Sequence, residues 1–153
     1  MRKTLSVIAL ALLAACSSSA TGAGEDTDGL QVRTGQRVYA LPAGGSNPVT
    51  VPFTATNTGS AMVSIARCGT APSAELQRRG DAGWVSVSSG VCTANVDMSP
   101  ARLAPGEGVA GVAYIDRISG TYRIRVPVSG SAPTPAVARY SVSPTFEVRW
   151  TDG

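Results

Sequence analysis

The sequence of 153 residues contains no histidine, and its single lysine, Lys3, lies at the N-terminus. Without histidine, the Ser-His-Asp and Cys-His arrangements of nucleophilic catalysis are excluded, and so are histidine-ligated metal sites. Paired carboxylates could still act as acid and base. The acidic residues outside turns and linkers stand in no motif that marks them as catalytic: Glu75, Asp97, Glu107 and Asp116. We therefore expect a protein that is not an enzyme and that has no cofactor and no metal.

The N-terminal apolar stretch is too short to cross a bilayer. Residues 5–13 are nine in number, whereas a membrane-spanning helix needs about 20. Because Arg2 and Lys3 precede this stretch and small residues follow it, the segment has the layout of a cleaved export signal. The loss of Lys3 with the signal would also exclude Ser-Lys dyads from the exported chain.

The tetrapeptide Leu13-Ala14-Ala15-Cys16 follows the apolar stretch directly. It resembles the lipobox of bacterial lipoprotein signals, and this resemblance implies that the Cys16 thiol receives a diacylglyceryl group and that the signal is cut before it. The new amine could then be acylated by a fatty acid such as palmitate, and several acyl chains anchor a protein stably, at about 0.8 kcal/mol per buried CH₂. We predict residues 1–15 as the signal peptide and Cys16 as the lipid-bearing first residue. The alternative is an ordinary signal that leaves Cys16 as a thiol.

Ser17 follows the predicted lipidation site. In the sorting rule of enteric bacteria an aspartate at this place retains a lipoprotein at the inner membrane, so by resemblance Ser17 favours the outer membrane of a Gram-negative host. The predicted location is therefore the cell envelope, with membrane contact through the lipid on Cys16.

The charge of the exported chain is close to balanced. The net charge of +3 includes Arg2 and Lys3, both of which leave with the signal. A near-neutral chain without a basic run does not favour a polyanion-binding surface, so we expect no nucleic-acid partner.

Two cysteines remain besides Cys16, and they are Cys68 and Cys92. Outside the cytoplasm an even pair is most simply a disulfide, which for a loop of this length contributes roughly 3.5 kcal/mol in the chain-entropy model. Metal binding is the alternative, but two cysteines without histidine cannot complete a zinc site. We therefore predict a Cys68–Cys92 bridge.

The exported chain divides at about residue 30. Residues 16–29 are rich in Ser, Thr, Gly and acidic side chains, which is typical of a flexible tether. A calcium site at the acidic residues 25, 26 and 28 is the alternative, although no flanking pattern resembles a calcium loop.

Residues 30–153 show the alternation of apolar and polar side chains that is typical of half-buried strands. The pattern is clearest at residues 49–56, 121–128 and 146–150, and Gly, Pro, Asn and Ser clusters separate the segments. No stretch of the exported chain sustains a helical period. Seven to nine short strands predict an immunoglobulin-like antiparallel β-sandwich. Weaker strand candidates lie at about residues 33–40, 61–68, 73–79, 84–88 and 108–115.

Tyr122 opens the clearest strand within Gly120-Thr121-Tyr122, about fifteen residues after Leu103-Ala104-Pro105-Gly106-Glu107. The combination resembles the corner between strands E and F of immunoglobulin-like and fibronectin-like domains, which implies that the Tyr122 hydroxyl bonds to upstream backbone. The predicted bridge departs from the usual inter-sheet position, because no cysteine follows Tyr122 by two residues. It would instead join the end of a strand at Cys68 to the loop after residues 84–88.

Four turn-like motifs over roughly residues 45–130 are similar to the layout of the bacterial intracellular proteinase inhibitor family. The resemblance implies an immunoglobulin-like sandwich and, as an alternative function, inhibition of an exported proteinase through a presented loop. This chain departs from the family by its export signal and its predicted disulfide, and no inhibitory residue can be matched. The motifs are Thr56-Asn57-Thr58-Gly59, Gly83-Trp84, Leu103 to Glu107 and Gly120-Thr121-Tyr122.

Both tryptophans, Trp84 and Trp150, are expected to be buried aromatics of the sandwich rather than contact residues. Arg79-Gly80-Asp81 is expected at an exposed hairpin tip as turn chemistry rather than as an adhesion motif, and Arg78 as exposed charge beside it. The main hypothesis is a non-catalytic, membrane-anchored binding or assembly module that contacts an unknown envelope protein through loops or a sheet edge.

Overall fold

A computed structural model describes residues 24–89, 99–129 and 139–151, and their regular structure is entirely β. No helix in this part of the chain is long and apolar enough to cross a membrane. The strands of the described segments are β1 (Leu30–Thr34), β2 (Val38–Pro42), β3 (Val49–Asn57), β4 (Val63–Ile65), β5 (Arg67–Cys68), β6 (Ala71–Pro72), β7 (Glu75–Gly80), β8 (Gly83–Ser89), β9 (Ala101–Leu103), β10 (Gly108–Ile115), β11 (Gly120–Ser129), β12 (Arg139–Val142) and β13 (Phe146–Thr151).

The strands form two main sheets and a small two-stranded ladder of β5 and β6. The smaller main sheet has the order β1-β3-β10, and its pairs are antiparallel. In the larger sheet β11 pairs along one of its sides with β13 and β12, and along its other side with β7 and β4. The strand β8 pairs with β7. The pairing of β2 with β13 is parallel, and β9 extends the sheet from β4.

The core lies between the two main sheets and follows the period of two in each strand. In β3 the buried positions are Val49, Val51, Phe53 and Ala55, and the residues between them are more exposed. Phe146 packs between two tyrosine rings, with centroid distances of 5.5 Å to Tyr39 and 6.0 Å to Tyr122. The predicted all-β sandwich is therefore confirmed.

The number of described strands exceeds the predicted seven to nine for two reasons. The predicted strands at residues 33–40 and 61–68 are each divided in two, and β6, β9 and β12 are too short to show an alternation. The single strand expected at residues 33–40 is two strands in different sheets, β1 and β2. Between them the Gly35 amide donates to the Pro52 carbonyl and the Gln36 amide donates to the Tyr39 hydroxyl. These bonds hold a sharp turn that carries the chain from one sheet to the other.

The end of the predicted tether belongs to the folded domain. Glu25 forms a two-way backbone bridge with Val142 of β12, at 2.9 and 2.8 Å. The Thr27 hydroxyl donates to the Tyr140 carbonyl, and Asp28 forms a 2.7 Å ion pair with Arg139. The predicted domain boundary at residue 30 is therefore too late. Residues 25–28 are polar and show no alternation of apolar side chains, so the sequence pattern did not indicate that they bond to β12.

Two of the three cysteines lie outside the described residues. Cys16 and Cys92 are not described, so the lipid anchor and the disulfide remain predictions. Cys68 is half-buried at the end of β5, where it pairs in the ladder with Ala71 of β6.

The predicted tyrosine corner is present. Tyr122 is 1% exposed, and its hydroxyl donates a 2.7 Å hydrogen bond to the Ile118 carbonyl, four residues upstream. Burial raises the pKa of the phenol above its ordinary value of 10.0, which keeps the donor proton in place.

Replacing Tyr122 with phenylalanine should lower the free energy of unfolding by about 1–2 kcal/mol, because the Ile118 carbonyl loses its donor. Chemical denaturation measures the change. Tyr114→Phe is the matched control, since Tyr114 is 63% exposed. Equal stabilities of the two variants would contradict the structural role of the hydroxyl.

The raised pKa gives the same residue a pH signature. Because Tyr122 ionises less readily in the folded state, its contribution is fully present below about pH 10 and is lost as pH rises through the folded-state pKa. The stability of Tyr122→Phe should therefore fall less steeply above about pH 10 than that of the unchanged protein.

Candidate arginine–aromatic binding face

A cluster of arginine and aromatic side chains covers the outer surface of the larger sheet, on β7, β8, β11 and β12. It arises from the alternation in β11, where Tyr122 and Ile124 are buried in the core and the intervening arginines lie on the opposite face. We define the arginine–aromatic face as Arg79, Trp84, Arg123, Arg125 and Tyr140.

Trp84 lies between two guanidinium groups. The hairpin of β7 and β8 places Arg79 directly opposite Trp84, with its guanidinium carbon 5.5 Å from the ring centroid. Arg123 approaches from β11 at 4.4 Å. Cation–π contacts of this kind contribute about 0.5–1 kcal/mol at exposed sites and more when desolvated.

A buried glutamine holds Arg123 in position. Gln77 is 4% exposed, and its Oε1 accepts a 2.8 Å hydrogen bond from Arg123 Nε. Gln77 Nε2 donates to Glu75 Oε1 at 3.2 Å, and the Ser86 hydroxyl donates to the same oxygen. Burial lowers the pKa of the Arg123 guanidinium, but an arginine remains charged at neutral pH.

Arg125 forms the second half of the face. Its guanidinium carbon lies 3.7 Å from the centroid of the Tyr140 ring, and its Nη1 is 3.4 Å from Glu75 Oε2. The Glu75 carboxylate is thus shared among Arg125, Gln77 and Ser86. Three arginines lie near two carboxylates, Glu75 and Glu25, whose charges both act on Arg123, so the cluster keeps a net positive charge.

The arrangement combines residue types that are common in binding surfaces. Arginine, tryptophan and tyrosine are the residue types that most often carry the binding energy of protein interfaces. The arginines are already fixed by stacking and hydrogen bonds, so less side-chain entropy would be lost on binding. Within the described segments no group of three His, Cys, Asp or Glu residues could hold a metal ion.

The expected burial of both tryptophans is wrong. Trp84 is half-buried and Trp150 is 49% exposed. Each lies under an arginine instead of under the opposite sheet, since Arg117 stacks on Trp150 at 5.1 Å. Alternation alone could not reveal this, because the covering side chains come from other strands and, for Trp150, from the loop after β10.

The remaining sequence candidates are dispersed. Arg79 and Asp81 are exposed at the tip of the β7–β8 hairpin as expected, whereas Arg78 is half-buried beside Gly120. Glu107 accepts a hydrogen bond from the Ala104 amide at 2.7 Å, which is a turn-stabilising role. Asp97 lies outside the described residues. The sequence signal for the face was Arg123 and Arg125 at alternate positions, but nothing linked them to Trp84.

Comparison with known proteins gives little further information. No protein-family model matches the chain, and no curated protein matches it. A beta-glucosidase from Listeria innocua, solved in complex with glucose, is a structural match at 14% identity and a TM-score of 0.35. The match covers 78% of this chain and 16% of the enzyme, so the chain spans a small part of that protein's length.

Replacing Arg123 with alanine should lower the free energy of unfolding by about 1–3 kcal/mol, because buried Gln77 Oε1 loses its donor. It should also shift the Trp84 fluorescence to longer wavelength as the ring becomes hydrated. Arg149→Ala is the control, because Arg149 is exposed on β13 and pairs with Glu147, and its change should stay within about 0.5 kcal/mol. An Arg123→Ala protein with unchanged stability and emission would show that Gln77 and Trp84 do not depend on Arg123.

Proposed function

We propose that this chain is a lipid-anchored lipoprotein of the cell envelope that binds an acidic partner protein through the arginine–aromatic face and catalyses no reaction. The observation that carries the proposal is the fixed position of Trp84 between Arg79 and Arg123. A solvated surface would leave these side chains free to move, whereas here they form one ordered contact surface.

The charge of the face defines the partner's chemistry. Its arginines exceed its carboxylates, while the exported chain as a whole is nearly neutral. A positive patch on a near-neutral protein steers association with a negative surface and excludes other partners by charge. A partner with exposed Asp and Glu side chains can form bidentate bonds with guanidinium groups.

The chemistry available to the chain supports a binding role. The full sequence has no histidine, and its one lysine belongs to the predicted signal. In the face itself, Glu75 already accepts hydrogen bonds from Gln77 and Ser86 and pairs with Arg125. It is therefore poorly suited to act as a general acid or base.

The N-terminal segment would hold the face near a membrane. Glu25 is paired with Val142, two residues after Tyr140 of the face. If Cys16 bears the lipid, the eight residues from there to Gly24 can span at most about 28 Å. The proposed partner is therefore a protein of the same membrane, or one that lies close to its surface.

A photo-crosslinking amino acid at exposed Ala82, in the β7–β8 turn beside the Arg79–Trp84 pair, should capture one acidic envelope protein in cells. The same group at exposed Thr54, on the outer surface of the smaller sheet, should not capture it. Trp84→Ala and Arg79→Ala should each reduce the Ala82 product, and raised salt should weaken binding of the purified pair.

The identity of the captured protein decides between the two functions considered. An acidic partner lost with Trp84→Ala supports the proposal, and equal capture at both positions contradicts it. An exported proteinase whose cleavage rate falls when the soluble domain is added would instead support inhibition.

Replacing Cys16 with serine should abolish labelling by a radioactive or clickable fatty acid and release the protein from the membrane fraction, because the thiol that receives the lipid is absent. Met62→Ser is the control, because Met62 is exposed in the folded domain, and this variant should retain the label. Persistent labelling of the Cys16→Ser protein would contradict the predicted anchor.

A further inference from the structure

A second arginine site lies in the loop between β10 and β11. Arg117 Nη2 donates a 2.8 Å hydrogen bond to the Pro42 carbonyl at the end of β2, and the guanidinium carbon is 5.1 Å from the centroid of the Trp150 ring. Both contacts come from paired strands, since Pro42 is in register with Thr151 of β13. The guanidinium is therefore held in one orientation.

The other terminal nitrogen of this guanidinium has no acceptor. Arg117 Nη1 is buried, and among the described residues no atom accepts a hydrogen bond from it. Leaving a buried charged donor unpaired is unfavourable, and an acceptor supplied from outside would remove that penalty. Gly45 lies against the nitrogen, because a Cβ there would be 3.0 Å from Nη1.

Arg117 lines a pocket of about 300 Å³ between the loop after β2 and the start of β3. Among the described residues no other charged side chain lines it, so this part of the chain gives the site a single positive charge, which suits a monoanion better than a doubly charged phosphate. Its volume is at the lower end of the range for small-molecule sites. The described lining residues are Tyr39, Ala40, Pro42, Gly45, Asn47, Pro48, Val49, Thr50 and Arg117.

We propose that this pocket binds a carboxylate group, which accepts hydrogen bonds from Arg117 Nη1 while Trp150 covers the guanidinium. The carboxylate could belong to a small organic acid or to the C-terminus of a peptide. The site is independent of the arginine–aromatic face, because it shares none of that face's residues.

Titration of the full exported protein with sodium acetate, at constant ionic strength set by sodium chloride, tests the site. The indole N–H signal of Trp150 should shift and saturate in NMR spectra, and any shift of the Trp84 signal should be the same in the Arg117→Gln protein. Arg117→Gln should weaken the binding roughly tenfold or more, because a charge-assisted hydrogen bond is lost. Arg102→Gln is the control, because it also removes one positive charge but at an exposed position of β9, and it should leave the affinity unchanged.

A second variant keeps the charge and closes the pocket. Gly45→Val should place its side chain against Nη1 and also weaken acetate binding about tenfold. A short peptide with a free C-terminus, compared with its amidated form, distinguishes the two carboxylate sources. A linear, unsaturable shift, unchanged affinity in both variants, or tighter binding of inorganic phosphate than of acetate would overturn the proposal.

Discussion

The alternation of side chains along β11 is the constraint on which the rest of the structure depends. This strand pairs with four others, and its inward residues join the core while its outward residues contribute to the arginine–aromatic face. A shift of one residue in its register would exchange Ile124 for an arginine in the core. The core and the face are therefore two consequences of the same pairing, and a register shift that alters one must affect the other.

The outward arginines are held by neighbours that the same pairing supplies. Arg123 is opposite Gln77 in the ladder between β11 and β7, and Gln77 is opposite Ser86 in the next ladder. Backbone pairing thus sets the distance from Arg123 to both Gln77 and Trp84, and Gln77 is buried because these larger side chains cover it. This explains how a face of charged residues remains ordered in a small domain.

Local patterns predicted the elements of the fold better than their assembly. The alternation in β3, β11 and β13 and the hydroxyl bond of Tyr122 depend on residues close in sequence, and the structure confirms them. The hydrogen bond from Gly35 to Pro52, the docking of Glu25 on β12 and the stacking of Arg123 on Trp84 depend on partners 17 or more residues away. No spacing within one segment can indicate which distant strand covers it, so the binding face could not be located from the sequence alone.

The distribution of charge connects the fold to the proposed role. A chain with nearly equal numbers of arginine and acidic residues can still present a positive surface if strand pairing places several arginines on one face. Here the ladders of β7, β8 and β11 do so, and the stacked rings of Trp84 and Tyr140 lower the conformational freedom of the guanidinium groups. Because the total charge is small, this local field would decide under the proposed function which surfaces the protein attracts. Partner choice should therefore follow the geometry of the sheet rather than the composition of the chain.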